Sequence, residues 1–138
     1  MNGRNSLSDN IVAPYAANID HILAHVEVLS LRLAVEVNRR RLRDGTDEDF
    51  KGLFVSEEQI DILLSRLIAP EDLSQSDAIQ HLEAVLDQRL GLLNDRTDIS
   101  LQAGGELRLG GLVEKFRLSE FEGAVLVLCV ASEIDLSF

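Results

Sequence analysis

The stretch from Ala16 to Arg43 contains neither glycine nor proline, and it constrains the fold more than any other part of the chain. Nothing in it breaks a helix, and its apolar residues recur at steps of three and four, so it reads as one long amphipathic helix. Ile19, Ile22, Val26, Leu29 and Leu33, continued loosely by Val37, make one stripe, while Val28, Leu31, Val35 and Leu42 make a second. Two stripes imply cover on two sides, by core helices, a partner or a neighbouring subunit. Val28, Leu31 and Val35 of the second stripe, with Arg39, Arg40 and Arg43 beyond them, are the candidate interaction surface. The arginines could grip a phosphate or an acidic partner. They also have a plainer reading: cations complement the carbonyl end of a helix, Gly45 supplies a cap, and Asp44, Asp47, Glu48 and Asp49 follow as ion-pair partners.

The remaining helices are marked by their starts. Ser56 and Gln59 form a capping box, with Val55 and Ile60 as a hydrophobic staple, and predict a second helix to about Ile68, before Pro70. A third starts near Ser74 or Ser76 and runs to about Asn94 on the stripe Ile79, Leu82, Leu86, Leu90, Leu93. A glycine-containing loop, Asp95 to Glu106, separates it from a short helix over about Leu107 to Phe116. Ser119 and Glu122 make another capping box ahead of the apolar run Ala124 to Ala131. That run has β-branched residues, but the box is a helix-start device, and a helix apolar all round is one surrounded by others. The expectation is an all-α fold, about five helices in a bundle or orthogonal helical array, with residues 1–14 as a mobile tail and 15–138 as a single domain.

Charge limits the partners. With 13 Lys plus Arg against 24 Asp plus Glu, the formal charge is -11 at pH 7, which argues against nucleic acid and anionic membranes, since phosphate binding needs clustered cations. The bias suits protein partners, and an acidic surface also suits a high-salt cytoplasm. No apolar leader is visible in Met1 to Asn10, and Ala124 to Ala131 is far shorter than the about 20 residues a membrane helix needs. The single cysteine, Cys129, has apolar flanks and reads as a buried, inert thiol, consistent with a soluble cytoplasmic protein.

Few residues suggest chemistry. His21 and His25 share a helix face, and they serve either as a surface or interface pair or as two ligands of a metal whose further ligands would be His81 and Cys129. Gly105 and Gly110 have the spacing of a phosphate loop, but Gly111 and Leu112 stand where it needs Lys and Ser or Thr. No nucleophile stands in a catalytic context, so the chain is read as non-enzymatic, with no catalytic, cofactor or metal residues.

Two stretches carry a resemblance. DFKGLFVSEEQIDILL, residues 49–64, resembles the F-x-G-L-[YF]-[IV]-S-[DE]-E-[EQ]-[VI]-D-x-L-L stretch near the N-terminus of a group of prokaryotic AAA+ ATPases, some associated with contractile, phage-tail-like injection systems. LRLGGLVEKFRLSEFEGAVLVLCVASEIDL, residues 107–136, is similar to that group's L-x-x-L-x-x-x-F-x-L-S-x-F-E-x-x-[VL]-L-L-L-x-[LV]-A-x-E-[LI]-D stretch. Together they cover about a third of the chain, in the same order. Gly123 departs from the pattern, which usually has a larger, often charged residue there, and no ATPase motif follows before Phe138. The matched positions are helix caps and core residues, so the resemblance transfers no catalytic residue. It implies the N-terminal fragment of a longer ATPase, a domain that recruits substrates or adaptors, regulates the ring or helps assemble it. Its partners would be proteins, its own ATPase module or further copies of itself, and ATP and magnesium would belong to the absent module. The competing reading is a free-standing helical interaction or dimeric signalling module.

Overall fold

A computed structural model describes residues 12–44 and 74–134. Within them lie four helices: α1 (Asn18–Asp44), α2 (Gln75–Gln102), α3 (Arg108–Phe116) and α4 (Glu120–Ile134). The described part is helical, and no strand occurs among the described residues. The expected helix over residues 56–68, with its capping box and staple, and the Gly45 cap lie outside the described residues. No described helix is long and apolar enough to cross a membrane.

α1 is the central element, packing along α2 and touching α3 and α4. Its core side is the stripe Val28, Leu31 and Val35, joined by Ala34, and all four are buried. Val28, Leu31 and Val35, expected as an interaction surface, are therefore turned inward: Leu31 and Val35, with Ala34, cluster with Leu82 of α2, which is 0% exposed, with Val85 and Leu86 packed against them, and Val28 is buried nearer the start of α1. The side left bare is the opposite one, where Ile19, Leu23 and Leu33 are exposed. Two apolar stripes were legible, but their hydrophobicity alone could not say which one the core would take.

α2 runs eight residues beyond its expected end at Asn94, absorbing most of the expected loop. Its polar residues there are satisfied inside the helix: Thr97 Oγ1 donates to the Leu93 carbonyl (2.7 Å) and Ser100 Oγ to the Arg96 carbonyl (2.7 Å). The start is at Ser74, whose hydroxyl accepts from the Asp77 amide at 3.2 Å. Its end is fixed by Gly104 and Gly105. Gly104 adopts φ 80°, and a Cβ on Gly105 would stand 2.9 Å from the Ser100 carbonyl oxygen, which accepts the Gly105 amide.

α3 and α4 follow one another across a short turn, residues 117–119. The Ser119–Glu122 box is present in full: the Glu122 amide donates to Ser119 Oγ (3.3 Å), and the Ser119 amide and hydroxyl donate to Glu122 Oε2 (2.8 and 2.7 Å). These bonds hold the Glu122 carboxyl below its usual pKa. Arg117 between the helices takes a left-handed conformation (φ 52°, ψ 43°), the only positive φ outside glycine among the described residues. Arg117→Gly is expected to raise the unfolding free energy by about 1 kcal/mol, measured by urea unfolding; an unchanged or lower midpoint would count against left-handed strain at this turn.

Among the described residues, α4 is not surrounded by helices. Val127 and Ala131 are buried, but Phe121 (77% exposed), Val125 and Leu128 face outward, and so does Cys129, against the expectation of a buried thiol. One side of α4 meets α1, and among the described residues the other is open. Residues 12–14 of the expected tail are the described part of it: Arg96 Nε donates to the Ala13 carbonyl (2.9 Å), and its guanidinium lies over the ring of the following Tyr15, 4.0 Å from the centroid.

Candidate functional site

The four helices leave a cleft of about 410 Å³ between them. Most of its wall is aliphatic, including Val28 from α1, Leu93 from α2, Leu109 and Val113 from α3, and Val127 from α4. The helices are pinned around it by long-range polar contacts. Asn18 Oδ1 at the start of α1 accepts the Arg108 amide at 2.7 Å, satisfying a donor that α3, lacking a side-chain cap at Leu107, would leave open. Arg32 of α1 meets Glu120 of α4 at 3.0 Å at the rim, and Arg89 of α2 meets Glu27 of α1 at 3.1 Å. Such exposed pairs add about 0–1 kcal/mol each, so they set alignment more than stability.

The polar end of the cleft is the pair His21 and His25, one turn apart on α1. Their Nε2 atoms stand 3.1 Å apart, so one ring donates and the other accepts. His21 is 2% exposed, with the Tyr15 ring edge-on at 5.1 Å, and its Nδ1 is buried without a hydrogen-bond partner. Burial lowers the pKa of His21. It lowers His25 further, to about 4, with the neighbouring His21 adding to the shift. Both rings are neutral at pH 7, and His21, expected in a surface or interface pair, is buried between α1 and Tyr15.

A metal would be held poorly here. Two imidazoles bound to one ion through Nε2 must both be protonated at Nδ1, and ligating histidines normally donate that hydrogen to an acceptor. His21 Nδ1 has none. His81 and Cys129 are exposed on α2 and α4, and no group of three His, Cys, Asp or Glu with metal-site geometry occurs among the described residues.

The arginine cluster lies apart from the cleft. Arg39 is paired with Glu36 (2.7 Å) and with Glu83 across the α1–α2 interface, contacts that hold its guanidinium charged. Both of these partners lie on the two helices, and the acidic residues Asp47, Glu48 and Asp49 lie outside the described residues. Arg40 and Arg43 are exposed and each has an interaction of its own. The histidine pair was visible in the sequence through its spacing. The walls supplied by α3 and α4 were not, because nothing local says where those helices dock.

No curated protein and no solved structure matches the chain. One family does, over residues 4–138, and the chain belongs to it: the winged helix domain, variant, family.

Proposed function

We propose that the chain is a non-catalytic N-terminal domain of a AAA+ ATPase, serving substrate or adaptor recruitment, regulation or ring assembly, with ATP handled by a separate module. The observation that carries this reading is the capped start of α4 after α3, which lies in one of the two stretches resembling those ATPases. In support, Ser119 and Glu122 of that stretch cap α4 and Leu109 and Ala131 are buried, while its matched Leu112, Phe116, Phe121, Val125 and Leu128 are exposed. The other stretch, residues 49–64, lies outside the described residues.

Winged helix domains often bind DNA, but charge opposes that role here. The formal charge is -11, and Arg32, Arg39 and Arg89 are each in contact with a carboxylate. The bare apolar residues of α1 and α4 favour a protein-interaction role, which the free-standing module reading shares. Sequencing the parent gene past codon 138 separates the two. An in-frame G-x-x-x-x-G-K-[ST] is expected, and deleting residues 1–138 from the full-length product should spare basal ATP hydrolysis while abolishing its response to partner protein. A stop codon directly after Phe138 overturns the ATPase reading in favour of the free-standing module.

A further inference from the structure

α4 carries an apolar stripe that the core does not use. Phe121, Val125 and Leu128 are spaced by four and three residues and are 77%, 42% and 44% exposed, on a different arc of the helix from the buried Val127 and Ala131. A phenylalanine this exposed contributes little to folding, and apolar residues lined up on one open arc mark a contact surface, which single scattered ones do not. Glu122, Cys129 and Glu133 each follow a position of this stripe (121, 128 and 132) by one residue, so one edge of it carries two exposed carboxylates. Glu120–Ile134 contains no Lys, Arg or His, and the nearest cations in sequence, Lys115 and Arg117, come before the Ser119 cap.

Charge decides what fits such a face. The chain's own residues 45–73 carry eight Asp or Glu against Lys51 and Arg66, so laid along this edge they would set carboxylates against carboxylates. A second copy meets the same obstacle. Paired antiparallel about a two-fold axis, two stripes bring like edges together, with Glu122 of one copy close to the level of Glu133 of the second, and each chain brings a formal charge of -11. A helix of opposite charge has no such cost: its apolar stripe covers Phe121, Val125 and Leu128, and Lys or Arg on its flank meets Glu122 and Glu133. Exposed ion pairs add little energy each, so the apolar contact supplies affinity and the charges select the partner and its orientation.

We propose that the face of α4 made by Phe121, Val125 and Leu128 docks a basic amphipathic helix of a partner protein, with that helix's apolar stripe on Phe121 and its cations along the edge of Glu122 and Glu133. The proposal rests on the protein-interaction role above, which the ATPase and free-standing readings share. A stop codon after Phe138 leaves it standing, and its own failure leaves the gene result untouched. The test is an NMR titration of the intact chain at about 0.15 M salt with two synthetic helices that share one leucine stripe, one with lysine and the other with glutamate on the polar face. Saturable shifts of the Phe121, Val125 and Leu128 amides are expected with the lysine helix, and affinity at least about tenfold weaker with the glutamate helix. Phe121→Ser and Val125→Ser should each weaken binding of the lysine helix about tenfold or more, whereas Leu33→Ser, on the bare side of α1, should change it less than about twofold. All three side chains are exposed, so each variant keeps a thermal midpoint within a few degrees of the parent chain. Equal affinity for the two helices overturns the proposal, and so does binding that leaves the α4 amides unmoved or survives Phe121→Ser. A parent chain that sediments as a dimer and a Phe121→Ser chain that sediments as a monomer overturn it in favour of a second copy. Absence of binding overturns it too, including the case in which residues 45–73 cover the face.

Discussion

Replacing Leu82 by alanine is expected to lower the unfolding free energy by about 2–5 kcal/mol and the thermal midpoint by about 10 °C. Leu82 is 0% exposed and is the α2 member of the cluster formed with Leu31, Ala34 and Val35 of α1. Truncation removes a fully buried isobutyl group and leaves a void against a long, stiff helix, so the lost transfer energy and the cavity term add. Leu33→Ala is the comparison: Leu33 is on α1 beside the same cluster in sequence, but its side chain is 47% exposed. Its loss should cost under about 1 kcal/mol. Urea unfolding of both variants measures the difference. Equal losses would mean that the bare stripe of α1 is covered in solution, and the assignment of core and exposed sides would have to be reversed or abandoned.

This contrast bears on how much of the fold could be read from residues alone. Helix starts were legible because their signals are local. Ser74 and the Ser119–Glu122 box bond within three residues, so their chemistry is decided before any tertiary contact forms. The end of α2 was not legible for the opposite reason. Beyond Leu93 the stripe passes through Thr97 and Ser100, polar residues that look like a loop by periodicity, yet Ser100 is buried because it accepts the Tyr15 amide at 2.8 Å from a segment 85 positions away. The exposed state of Cys129 has a similar origin: apolar neighbours in sequence say nothing about which arc of α4 meets α1. The cleft was the least legible feature. Its histidines announce themselves by spacing, but the enclosing walls depend on tertiary contacts such as Asn18 with Arg108 and Arg32 with Glu120, which span 90 and 88 positions.

The histidine pair makes an acid limb in stability that can be measured. An unfolded histidine titrates near about 6.5, whereas burial and the adjacent His21 bring His25 down to about 4, and burial lowers His21 as well. Between those values the unfolded chain binds protons that the folded chain does not, so stability rises with pH across this window. The contribution is therefore fully present above about pH 6.5, is lost progressively as the pH falls toward about 4, and stops changing below that. For His25 the full shift would correspond to about 3 kcal/mol, and solvent access to the ring reduces this to about 1–2 kcal/mol. Glu122 adds an acid loss of its own, but its window begins lower, since an unfolded carboxyl titrates near about 4.3. Urea unfolding at pH 7, 6, 5 and 4 separates the two by onset. His25→Leu should remove most of the fall between pH 6.5 and 5, because leucine fills a similar volume and takes no proton, and His21→Leu should remove part of it. A His25→Leu profile parallel to that of the parent chain over this window would show that the ring is charged in the folded state, and would end the description of the pair as two neutral imidazoles sharing one hydrogen.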